Sequence, residues 1–210
     1  QAEEYKQEQI YEPKILEQPQ AQQITQEPSA IEEIVKEPDI FSDILDMTLR
    51  FEGGYIDHPD DPGGETNYGI TRNTYLQYLR SNGFPTENVD MQNIPMEHIN
   101  AIYKQQFWDP IHGDKLPPTI ARQMFDYAVN SGPRRPIRAL QMAIGVKTDG
   151  IIGPQTMRAL QTYIAKRGEN NLAKYILNER TRFLRELGKK YPQFRKGWMN
   201  RINQLREFIE

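Results

Sequence analysis

From Phe41 onward, apolar residues recur at steps of three and four in one segment after another. Only residues 53–70 carry too much glycine and proline to continue that pattern. This commits the chain to a mainly α fold with one short β or turn segment near residues 55–70. Ile44, Leu45, Thr48, Leu49 and Phe51 mark a first helix, capped by Ser42. It is expected to carry Glu52 to its last position and to stop at Gly53-Gly54. Thr71 then caps a second helix, and Pro95 opens a third with Met96, Ile99, Ile102, Tyr103 and Phe107 on one face. Further helices are predicted after Pro118, over 134–144, and at about 155–166, 170–187 and 193–209. The last places Phe194, Trp198, Ile202, Leu205 and Ile209 on its apolar stripe, which makes Trp198 a core residue.

Residues 1–40 follow different rules. Glu, Gln and Pro dominate, and prolines at 13, 19, 28 and 38 are spaced too closely for a long helix. This stretch is expected to be an extended acidic tether, disordered unless a partner holds it. The domain proper then spans 41–210, divided into a first lobe (41–110) and a second helical lobe (111–210). Charge divides the chain in the same sense. Residues 1–46 hold twelve acids and three lysines, whereas residues 158–210 hold 13 bases against five acids. An acidic leader on a basic body suits a body that meets an anionic surface. No cysteine is present, which excludes disulfides and thiol catalysis. No apolar run approaches the roughly 18 residues of a membrane span. The first residue is Gln1, so a cleaved signal, a removed anchor or a larger polypeptide upstream would each fit.

The chemistry concentrates in FEGGYIDHPDDPGGETNYGIT, residues 51–71. A carboxylate at a helix C-terminus faces unpaired carbonyls, which favour its protonated form. Phe51 and Tyr55 would desolvate it in the same direction. A proton-holding carboxylic acid is what glycoside cleavage requires of its general acid, and two following glycines would let a substrate approach closely. Asp57, Asp60, Asp61 and Glu65 are candidates for the second group, although Asp-Pro and Pro-Gly-Gly also serve as ordinary turn punctuation.

This stretch resembles the signature of glycoside hydrolase family 108, the phage and bacterial N-acetylmuramidases with a lysozyme-like helical fold. Glu52 to Tyr55, Asp61 to Gly64, Thr66, and Gly69 to Thr71 match its elements in order. FWDPIHGDKLP (107–117), FDYAVNSGPRRPIRALQ (125–141) and GVKTDGIIGPQT (145–156) resemble the peptidoglycan-binding half paired with that muramidase. The resemblance implies Glu52 as catalytic acid. Similarity to phage-type lysozymes adds Asp61, nine positions on, and Thr66 as the water-positioning and charge-stabilising pair. It further implies Tyr55, Tyr68 and Asn130 as substrate-binding residues, and an inverting carboxyl separation; Trp108, an aromatic ring that can stack on a sugar, is the remaining substrate-binding candidate.

Competing constellations are weak. The histidines are His58, His98 and His112, with no zinc-type pairing, so neither a metal nor any other cofactor is expected. No serine triad is apparent, and the basic C-terminal third carries no nucleic-acid motif. The expected function is hydrolysis of the β-1,4 bond between N-acetylmuramic acid and N-acetylglucosamine, with peptidoglycan as partner. The site of action would be the bacterial periplasm or cell wall, with attachment to a phage virion or envelope assembly through residues 1–40. The rival expectation is a non-catalytic wall-binding or virion component that keeps the fold.

Overall fold

The computed structural model describes residues 39–57 and 64–209. The tether expected over residues 1–40 therefore lies almost wholly outside the described residues. The fold is mainly helical, as the periodicity predicts. α1 (Ile40–Leu49) is followed by a two-stranded hairpin, β1 (Thr66–Asn67) and β2 (Ile70–Thr71), and then by α2 (Arg72–Ser81) and α3 (Met96–Tyr103). α4 (Pro118–Ser131), α5 (Arg134–Ile144), α6 (Pro154–Arg167), α7 (Glu169–Lys190) and α8 (Arg195–Arg206) complete the described chain.

Local chemistry explains the boundaries. The Thr71 hydroxyl accepts from the Thr74 amide at 3.2 Å, the N-cap bond expected for α2. Proline opens α4 and α6 where its missing N–H costs nothing. Gly145 stops α5 in the left-handed region. The final predicted helix is broken, because Pro192–Phe194 form a 3-10 turn before α8 begins.

α4 is the centre of the packing. Ile120, Ala121, Met124, Phe125 and Ala128 are fully buried along it, and α7 lays Leu172, Ile176 and Leu177 against the same core. Each such large side chain contributes about 1.5–3 kcal/mol relative to exposure. α8 is fastened by Ile202 and Leu205, and Gln123 Nε2 donates to the Leu205 carbonyl at 2.9 Å. The buried side chains form one continuous cluster from Phe41 to Ile209.

Two expectations are corrected here. α1 ends at Leu49, so Glu52 is not its last residue but lies in the turn beyond it. The Phe51 and Glu52 amides both reach back to the Thr48 carbonyl, at 3.0 and 3.3 Å, which tightens the helix end before the glycines begin. Trp108, expected in the substrate groove, is 1 % exposed. It closes a π-helical turn, Lys104–Trp108, that continues α3. Phe41 and Phe125 flank its ring, and Nε1 donates to Asp114 at 2.7 Å. A Cβ at Gly113 would fall 2.2 Å from the indole. A ring so enclosed has no face to offer a sugar.

Candidate active site

The turn after α1 and the β1–β2 hairpin bring Glu52 into a built environment. Thr66 pairs with Thr71 and Asn67 with Ile70, leaving Tyr68 and Gly69 as a two-residue loop. Both have positive φ, 49° and 71°, the type I′ geometry that matches strand twist. Tyr68 adopts this conformation against its side-chain preference, and its carbonyl accepts from the buried Tyr103 hydroxyl at 2.7 Å. Burial pushes the Tyr103 hydroxyl well above the usual phenol range, with the Glu52 charge adding to it, so the proton stays in place for that bond. Gly69 then faces the acid, since a Cβ there would lie 3.2 Å from Glu52 Oε2. The glycine is needed for its conformation and for the space it leaves.

Other contacts hold the hairpin. Asn67 Nδ2 donates to the Met91 carbonyl at 2.8 Å, and Ile56 and Thr66 exchange backbone hydrogen bonds at 2.8 and 2.9 Å. Glu65 accepts from the Tyr55 hydroxyl at 2.8 Å and pairs with Arg72. Through these bonds Glu65 and the Tyr55 hydroxyl help to hold the loop.

The opposite side of Glu52 is supplied by distant sequence. Arg201 of α8 donates to Oε1 at 2.9 Å, and Asn130 of α4 approaches the same oxygen at 3.5 Å. Arg201 lies over the Phe51 ring, 4.6 Å from its centre, and also clamps Asp126 through Nε and Nη2 at 2.8–3.0 Å. Asp126 is fully buried and accepts in addition from Arg180 of α7 at 2.5 Å; Arg180 in turn reaches the Asn130 side-chain oxygen. Two carboxylates and two guanidinium groups balance within this cluster. Burial works to raise the Asp126 pKa, but Arg180 and Arg201 outweigh it and hold the carboxyl below its usual range. Burial likewise disfavours the charge on Arg201, yet Asp126 and Glu52 together raise its pKa.

Beside this cluster opens a cleft of about 480 Å³, lined among others by Phe51, Asn130, Phe194, Trp198 and Arg201. Trp198, predicted as core, is half-buried and borders this cleft, its ring 5.8 Å from that of the exposed Phe194. Aromatic faces beside amide and guanidinium donors are a suitable surface for a sugar.

Comparison with known proteins supports the same chemistry. The family described as Glycosyl hydrolase 108 matches residues 45–132, and the family described as Predicted Peptidoglycan domain matches residues 135–203. The solved structure of SagA from Brucella abortus is similar at 31% identity and a TM-score of 0.65, covering 80% of this chain and 92% of that one. The chain belongs to glycosyl hydrolase family 108. As a family 108 protein with a peptidoglycan-binding half, it is a lysozyme-type glycoside hydrolase, an N-acetylmuramidase that acts on peptidoglycan. No curated protein matches the chain.

Of the expected site residues, the structure brings Glu52 and Asn130 together, with Tyr68 joined to them through Tyr103 and Gly69. Thr66 lies on the same hairpin, its backbone paired with Ile56 and Thr71. Asp61 lies outside the described residues. Sequence reasoning missed Arg201, Asp126 and Arg180. For Arg180 the available signal was a charge at a helical position whose neighbours at three and four steps, Ile176, Leu177 and Leu184, are apolar. Asp126 has Arg122, Gln123 and Asn130 at those steps and gave no such signal.

Proposed function

We propose that Glu52 is the general acid of this muramidase, giving its proton to the glycosidic oxygen as the bond to N-acetylmuramic acid breaks. The observation that carries this reading is the asymmetry of its carboxyl group. Oε1 is held by Arg201 and Asn130, while Oε2 faces the space left by Gly69. Oε2 is then the oxygen through which the proton passes to the leaving group. Arg201 stands where the negative charge remains after transfer, and it is already oriented by Asp126, so little reorganisation accompanies the step. Asp61 and Thr66 supply the second group, placing water or stabilising the positive charge that develops on the sugar ring. A carboxyl separation of roughly 6.5–9.5 Å would leave room for that water and invert the anomeric centre. Tyr55 and Tyr68 border the glycan path on the hairpin side, Asn130 on the other.

Glu52→Gln tests the assignment. A folded variant, shown by an unchanged circular dichroism spectrum, should release no reducing ends from purified peptidoglycan. Release at near wild-type rate would remove Glu52 from the mechanism and favour a wall-binding role for the fold. Nuclear magnetic resonance of the first product formed reads its anomeric configuration and so decides between inversion and retention.

The enzyme would work in the bacterial periplasm or cell wall. Its acidic, proline-spaced residues 1–40 suit attachment to a phage tail or an envelope assembly. Co-purification of the chain with virions, lost on deletion of residues 1–36, is the expected result for the phage case.

A further inference from the structure

A second groove, of about 640 Å³, opens between α5 and α7 in the peptidoglycan-binding half. Tyr127, Phe183 and Met142 give it an apolar floor, and Arg134, Arg135, Arg138 and Arg182 give it cationic walls. Its two acids are already engaged, Glu179 with Arg182 and Glu186 with Lys189 at 2.6 Å. Arg134, Arg135 and Arg138 are all exposed, and none has a carboxylate within ion-pair distance among the described residues.

Placing these three together is unfavourable for the protein alone. Arg134 and Arg135 occupy the first turn of α5, where the helix dipole repels positive charge. Arg134 and Arg138 stand one turn apart on one face, a like-charged pair. The rest of the fold nonetheless holds them there. The TDGIIGP turn (148–154) is pinned to α5 by Gln141, which donates to Asp149 Oδ1 at 2.9 Å and to the Ile151 carbonyl at 3.0 Å, and accepts from the Gly150 amide at 2.9 Å. Gly150, at φ +79°, backs the arginines so closely that a Cβ would fall 3.3 Å from Arg134 Nε and 3.4 Å from Arg138 Nε. Arg134 also donates to the Asp149 carbonyl at 3.2 Å, and Arg135 stacks 4.1 Å above Phe183. The turn motif of the second half is thus a support for an arginine wall.

We infer that this groove binds the peptide stem carried by N-acetylmuramic acid, with the guanidinium groups taking its carboxylates and Tyr127, Phe183 and Met142 taking its alkyl portions. Guanidinium forks match carboxylates in paired hydrogen bonds, and the apolar floor favours a peptide over a bare polyphosphate. The groove reaches Ser131 on α4, the helix that also supplies Asn130 to Glu52. The inference rests on peptidoglycan being the substrate, but it does not depend on Glu52 being the acid.

The test uses the full chain carrying Glu52→Gln, so that nothing is cleaved. It is titrated by calorimetry with a soluble stem tetrapeptide, with an N-acetylglucosamine oligomer lacking stems, and with inorganic polyphosphate. The stem peptide should bind, and adding Arg134→Gln and Arg138→Gln should weaken it about tenfold or more while leaving oligomer binding unchanged. The single Arg138→Glu variant should weaken it in the same direction. Binding within twofold of the parent in both variants would overturn the inference, as would tighter binding of polyphosphate than of stem peptide. Failure of the Glu52 assignment would appear separately, as wall lysis by Glu52→Gln.

Discussion

Two sets of arginines divide this molecule. Arg180 and Arg201 are buried or nearly so, and each is matched to a carboxylate within 3 Å. Arg134, Arg135 and Arg138, on the next helix after α4, are exposed and have no acidic partner among the described residues. The same side chain therefore does two kinds of work. A buried guanidinium must be paired, because desolvation of an unpaired charge is costly, so its presence reports architecture. An exposed, crowded and unpaired group is tolerated by solvent, and its orientation by a pinned turn reports a ligand.

Removing the partner is the strongest way to break the comparison. Asp126→Ala leaves two guanidinium groups without their shared carboxylate and should destabilise the fold by about 3–5 kcal/mol. For a domain of this size that is roughly 6–20 °C in melting temperature, readable by calorimetry. A change near zero would show that the cluster is not the clamp described. Next in size, Gly69→Ala should cost about 1–2 kcal/mol for its left-handed backbone alone. It should also reduce lysis by more than that loss of stability accounts for, because the new methyl crowds Glu52 Oε2. Lysis that falls only in step with stability would argue that Oε2 does not face the reacting bond.

A smaller effect is pH-linked. The folded Asp126 pKa lies below its unfolded value of about 3.9. The pair therefore stabilises the fold above that value, and the contribution is lost as pH falls through the lower, folded pKa. Urea unfolding between pH 6 and 3 should show this acid limb in the wild type and a flatter one in Asp126→Asn. Smallest of all, Arg134→Gln with Arg138→Gln should move stability by no more than about 0.5 kcal/mol, as surface changes do. A large loss in that variant would turn the exposed set into a structural one and erase the contrast.

Much of the fold was legible in the chain because helices state their buried faces locally. Steps of three and four located α2 to α7 closely, and proline and glycine marked many of their ends. Trp108 and Trp198 show the limit. Both sit among apolar neighbours, and which one is enclosed depends on Gly113, Phe41 and Phe125 on one side and on the open flank of α8 on the other. The end of α1 was misplaced by three residues because a tightened last turn looks like helix in sequence.

By itself, the sequence determined the helical class, the short β or turn segment between Glu52 and α2, and the candidate acid with its glycine-rich surroundings, since all of these depend on neighbours within about twenty residues. Tertiary structure alone decided that Arg201, 149 residues away, is the group against Glu52, and that Asp126 and Arg180 orient it. Charge pairs of this kind leave no period in the chain. They are specified by which helix faces meet, and only packing of α4, α7 and α8 makes them meet.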